Sequence, residues 1–183
     1  MMDKKQILIF SHALEIGGAE RSLIGLLESF DYDQYQVDLF LMRHQGELMN
    51  DIPKEVNLLP VVKQYTVLAR PMKDTLKEGH VLLTAARYCG KRAAASYNRN
   101  HPHREESAVA LEYSHKYTKR FMPDIQRNKE YDLAISFLTP HYFVAEKVSA
   151  KKKIAWIHTD YSRIFIDRES ELNMWSRYDQ IVS

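Results

Sequence analysis

The sequence predicts a doubly wound α/β fold, with a mostly parallel sheet and helices on both faces. Two observations carry that prediction. Apolar runs of strand length alternate with segments whose apolar residues recur every three or four positions. The first run, Ile7-Leu8-Ile9-Phe10, shows no polar alternation, as expected of a strand buried on both faces. With 183 residues, 45% of them hydrophobic, the chain can form one domain with a full core.

Residues 5–11 make the first strand. Leu23, Ile24, Leu26, Leu27 and Phe30 give residues 19–30 a helical period, and Ile16-Gly17-Gly18-Ala19-Glu20-Arg21 leads into it. A second strand spans 35–42. Gly46 to Pro53 reads as a loop or short turn, and 56–61 as a short third strand. Residues 66–129 carry no strand signal. They hold two helical segments, 74–95 and 105–122, joined by Asn98-Arg99-Asn100-His101-Pro102-His103. Strand character returns at 131–137. Thr139-Pro140 reads as an N-cap followed by proline in the first helical position, opening a helix over 140–148. A fifth strand covers 153–158, a helix lies within 164–175, and a sixth strand falls in 178–182.

The net charge is +2, which gives no sign of a nucleic-acid partner. Its distribution is uneven. Between Lys63 and Lys129 there are fourteen Lys/Arg against six Asp/Glu, a local balance of +8, so the remainder carries −6. In this section Lys91, Arg92, Arg99, Arg104, Lys116, Lys119 and Arg120 are interleaved with Tyr88, Tyr97, Tyr113, Tyr117 and Phe121. The mixture suits an anionic membrane surface, and it equally suits a solvated helical face with a tyrosine-lined inner side. The single Cys89 excludes an internal disulfide, and no Cys/His spacing or Asp-x-Asp pair suggests a metal site. A cytoplasmic protein fits, free or peripheral at the inner face of the cell membrane.

In an open α/β sheet, ligands bind beyond the carboxyl ends of the strands. That rule selects three loops: His12 with Gly17-Gly18, then Thr139-Pro140-His141, then His158-Thr159-Asp160. Two adjacent glycines at a helix start allow an anion to approach unpaired N–H groups. A plain strand-to-helix turn would use the same residues. Glu20 in the first helical turn suits the helix dipole, and Arg21 could face an anion or a nearby carboxylate.

Gly-Gly-Ala-Glu-Arg after the first strand, Tyr131-Asp-Leu-Ala-Ile-Ser136, Trp156-Ile-His-Thr-Asp160 and the closing Tyr178-Asp-Gln-Ile-Val-Ser183 occur in an order that resembles the N-terminal half of a retaining, family 4-like GT-B glycosyltransferase. The likeness covers nearly the whole chain outside 63–129. It implies one Rossmann-like, acceptor-side domain over 1–183. A C-terminal donor domain would be the missing partner, without which this domain is expected to be inactive. The implied reaction moves a sugar from a nucleotide-diphosphate sugar to a saccharide or lipid-linked acceptor, with no metal or other cofactor. It further implies that Gly17, Gly18 and Arg21 meet the donor phosphates, that His158 and Asp160 are catalytic, and that His12, Thr139 and His141 face the acceptor. Related enzymes often carry a carboxylate near the fourth strand's end, where this chain reads Phe137-Leu138-Thr139-Pro140, and an N-cap role explains Thr139 adequately. Two other readings remain: half of a sugar-nucleotide epimerase or phosphorylase of the same two-domain plan, and a non-catalytic glycan- or partner-binding module.

Overall fold

Six parallel strands form one twisted sheet in the computed structural model, which describes residues 3–183. β1 (Lys5–Ser11) lies inside it, flanked by β2 (Tyr35–Leu41) and β5 (Leu133–Ser136). β3 (Asn57–Leu58) edges the β2 side. β6 (Lys153–Trp156) and β8 (Gln180–Val182) extend the β5 side. The sheet order β3-β2-β1-β5-β6-β8 is the Rossmann order, with its reversal between β1 and β5.

Alternation along the strands explains why they read as continuous apolar runs. Ile7, Ile9, Val37, Leu39, Ile135 and Phe137 join one core. Leu8, Phe10, Phe40, Ala134 and Ala155 join the other. The first core is closed by α1 (Gly18–Glu28) through Leu23, Ile24 and Leu27. The second is closed by α2 (Lys63–Thr66), α6 (Tyr142–Lys147) and α7 (Arg168–Trp175). Fully buried Tyr65 of α2 packs at 5.0–6.5 Å from Phe143, Phe40 and Phe10, and its hydroxyl donates to the Pro123 carbonyl at 2.7 Å. Buried Asp38 is compensated on that face by Tyr131 Oη at 2.6 Å, Lys129 Nζ at 2.8 Å and Asn57 Nδ2 at 2.8 Å.

The middle section departs from the sequence expectation in its boundaries. The segment 74–95 is two helices, α3 (Met72–Lys77) and α4 (Val81–Asn100), separated at Gly79, whose φ of 85° ends the first. The segment 105–122 contains β4 (Glu106–Ser107), then α5 (Val109–Thr118) and a 3-10 turn, Lys119–Phe121. α4 and α5 approach closely at Gly90, where a Cβ would lie 2.7 Å from the Tyr113 carbonyl oxygen. β4 pairs in parallel with β7 (Ile164–Phe165), a second, two-stranded sheet that ties the helical section to the chain after β6.

The helix after β5 also starts later than predicted. α6 has His141 at its N-cap, without a side-chain cap, so Thr139 does not cap it and Pro140 is outside it. The Thr139-Pro140 peptide is cis, and a 2.8 Å hydrogen bond between Ser136 Oγ and His141 Nδ1 closes the intervening loop. Among the described residues, no helix is long and apolar enough to cross a membrane.

Candidate functional site

The loop from β1 to α1 is held from behind by the loop after β2. Leu14 N donates to Gln45 O at 2.9 Å, Arg43 N to His12 O at 3.0 Å, and Leu48 N to Leu14 O at 3.0 Å. Gly46 is the keystone of this contact. Its φ is 117°, and a Cβ there would lie 2.0 Å from the Leu14 carbonyl oxygen.

The two glycines at the start of α1 have different physical reasons. Gly17 is extended at φ −159°, a conformation open to any residue, but a Cβ on it would lie 2.2 Å from Glu20 Oε2. The Glu20 carboxylate therefore folds back over Gly17 at the positive end of the helix. Gly18 has open space where a Cβ would stand. Arg21 is exposed and makes no ion pair among the described residues.

Glu20 also connects two predicted residues. His12 is half-buried; desolvation, then Arg43, lowers its pKa, while Glu15 and Glu20 oppose that shift. His158 is lowered chiefly by desolvation, again opposed by Glu20. Its ring stands 4.6 Å from Phe137 and is stacked at 6.1 Å on Trp156. The structure thus places His12 after β1, His158 after β6 and the Gly17-Gly18 turn at the carboxyl ends of the strands beside the sheet's reversal, with the Glu20 carboxylate against Gly17. Asp160 is exposed and makes a local turn instead. It accepts from Ser162 N at 3.0 Å and Ser162 Oγ at 2.6 Å, and pairs with Arg163 Nε at 3.1 Å. It neither caps a helix nor bonds His158; the N-cap of α7 is Asp167, which accepts from Ser170 N.

Thr139 and His141 belong to a neighbouring cavity of about 350 Å³. Its walls are the loops after β5 and β6, with α5 on one side and α7 on the other. His141 is buried and pushed down to about 3 by desolvation, with His158 adding to the effect. From α5 come Glu112 and His115, three residues apart and so on one helical face. His115 is pushed down to about 3, mainly by burial and then by His12, His141 and Arg87. It is a neutral imidazole at ordinary pH. Glu112 is pushed up to about 7: burial dominates, Glu171 and Asp167 add to the rise, and Ser170 and Lys116 oppose it. Tyr142 Oη donates to Glu112 Oε1 at 3.3 Å, and Tyr161 Oη to Glu171 Oε2 at 3.1 Å.

Sequence reasoning selected the strand ends and missed Glu112, His115 and Glu171. The available signal was Glu112-x-x-His115 on a helix, whose relation to the strand ends depends on the β4–β7 pair. Among the described residues, no group of three or more His, Cys, Asp or Glu is arranged to hold a metal ion. No family model and no curated protein matches the chain.

Proposed function

We propose that this chain is the acceptor-side domain of a sugar transferase. In this reading it works with a donor-binding domain that presents a nucleotide-diphosphate sugar across the crevice at the β1–β5 reversal. The observation that carries the reading is the placement of His12, His158 and the open Gly18 turn at the carboxyl ends of β1 and β6, beside a cavity lined with hydroxyls and carboxylates. The turn supplies N–H groups to a departing diphosphate. The Glu20 carboxylate lies against Gly17 in this structure, so donor arrival at that residue requires its side chain to swing aside. His158 then donates a hydrogen bond to the transferred sugar or its phosphate. The isolated chain is expected to show no transfer.

The test is His158→Ala in a protein that includes the donor domain. Turnover should fall about 100-fold or more, the scale of a lost transition-state donor, with the fold intact. Unchanged turnover and donor affinity would reject the role.

A membrane surface has its own support. Leu76, Val81, Leu82 and Tyr88 are exposed on α3 and α4, beside exposed Lys73, Lys77, Lys91 and Arg92. Other members of the basic, tyrosine-rich set are engaged internally: Lys116 donates to Ser170 Oγ at 2.7 Å, Lys119 pairs with Glu146, and Tyr97 and Tyr113 pack in a small core. The lipid-facing surface in this reading is therefore the outer side of α3 and α4, where an anionic membrane would seat a lipid-linked acceptor.

A further inference from the structure

We infer that the cavity between α5 and α7 binds a hydroxyl-rich sugar ring that is neutral or amine-bearing, and rejects an acidic one, with Glu112 and His115 accepting its hydroxyl hydrogens. The inference rests on the acceptor-side reading for its substrate class and adds the charge that the acceptor must not carry.

Three features support it. The first is charge. Glu106, Glu112 and Glu171 line the cavity, and no Lys or Arg does. A carboxylate or phosphate on the ligand would face these carboxyl groups with no lysine or arginine on the cavity wall to balance it. The nearest cation on the same helix, Lys116, is turned to Ser170 and lines a different hollow.

The second is unused hydrogen-bonding capacity. His115 is only 4% exposed and lines the cavity. Glu112 is 6% exposed, and its Oε2 is buried without a partner. Buried polar atoms are nearly always satisfied, so an unpartnered carboxyl oxygen at the cavity wall calls for a partner from outside the chain. Ring hydroxyls are donors of that kind, and a neutral imidazole accepts from them.

The third is shape and lining. The volume falls within the range of small-molecule sites, about 300–1,000 Å³. Leu111, Ile164, Ile166 and Met174 give an apolar surface for the C–H face of a ring. Thr139 and Thr159, both exposed, stand where the cavity meets the strand ends. A ring seated there presents a free hydroxyl toward His158 without any part of the cavity entering the chemistry.

The test uses the whole chain and three probes of one size: methyl glucoside, glucosamine and glucuronate. Binding is followed by NMR on the His115 ring and on the amides of α5. The first two should shift those signals saturably, with glucuronate at least about tenfold weaker. At about pH 8.5, where the Glu112 carboxyl is ionised, Glu112→Gln should weaken the first two by about tenfold or more, the loss of a hydrogen bond to a charged acceptor. Thr159→Val, a change at the exposed rim, should weaken them less without affecting folding. Glucuronate binding as well as the others, sugar binding that leaves His115 untouched, or no binding by any of the three would overturn the inference. Its failure is separable from that of the transferase reading. Transfer to acidic and neutral acceptors alike would sink the charge rule alone. Conversely, neutral sugars that still shift His115 in a protein indifferent to His158→Ala would leave a glycan site without the transferase.

Discussion

Glu112→Gln should change how stability depends on pH, and the direction is fixed by the side chain's surroundings. The Glu112 carboxyl is pushed up to about 7 from an ordinary 4.5, first by burial and then by the charges of Glu171 and Asp167. An acid raised in this way binds its proton more tightly in the folded state than in the unfolded chain. Folding stability from this group is therefore fully present below about pH 4.5 and is lost progressively as pH rises through about 7. At about 1.4 kcal/mol per pH unit, the loss between about pH 5 and pH 8 is roughly 2–3 kcal/mol. Glutamine does not titrate, so the variant should gain about that much on wild type across the interval. The assay is urea unfolding of both proteins at the two pH values, with the midpoint and slope giving each free energy. The difference between the proteins is the quantity to read, because His115 and His141 act in the opposite direction. Both are lowered by burial, so they withdraw stability as pH falls below the ordinary histidine value, in variant and wild type alike. A wild-type-to-variant difference constant within about 0.5 kcal/mol from pH 5 to pH 8 would refute the reasoning.

Gly46→Ala should destabilise the fold by about 3 kcal/mol or more, combining backbone strain at positive φ with overlap against the Leu14 carbonyl. In a chain of this size that lowers the melting temperature by roughly 6–12 °C, and a loss under about 2 °C in a thermal melt would contradict the role given to Gly46. Leu82→Glu on the outer side of α4 should reduce co-sedimentation with anionic vesicles about tenfold, since burying a leucine in an apolar phase is worth about 1.5–3 kcal/mol. The melting temperature should barely change. Binding that is insensitive to this substitution and to salt would dismiss the membrane surface.

The parts of the molecule legible in the sequence are those governed by short-range rules. β1 and β2 could be read because both of their faces are buried, which makes Ile7–Phe10 an uninterrupted apolar run and leaves Asp38 the one polar residue between Val37 and Met42. The doubly wound order then follows from the regular alternation with helices. The helical section was blurred for a local reason: Gly79 breaks a periodic stretch that otherwise reads as one helix. His12 and His158 could be selected because strand ends line the crevice of any such sheet. Glu112, His115 and Glu171 could not, since no topological rule brings α5 and α7 to that crevice. The link is two residues of β4 against two of β7, Glu106 with Ile164 and Ser107 with Phe165. A pairing that short leaves no periodic pattern.

The glycine pair divides between folding and function. Gly17 has a structural reason within the chain, because Glu20 occupies the space a side chain would need. Gly18 has none: its φ is not in the left-handed region, and nothing stands where its Cβ would be. A glycine at the first position of a helix costs backbone entropy relative to alanine. At Gly18 neither packing nor backbone geometry offsets that cost, and the transferase proposal assigns the open space to an incoming phosphate. The Glu20 carboxylate lies one residue earlier, against Gly17 at the start of α1, where the helix dipole favours negative charge. Under the transferase proposal an arriving phosphate would exchange one anion for another at that helix start. On that proposal the loop is less an empty cradle than a position already held by an internal anion, which an arriving phosphate must displace.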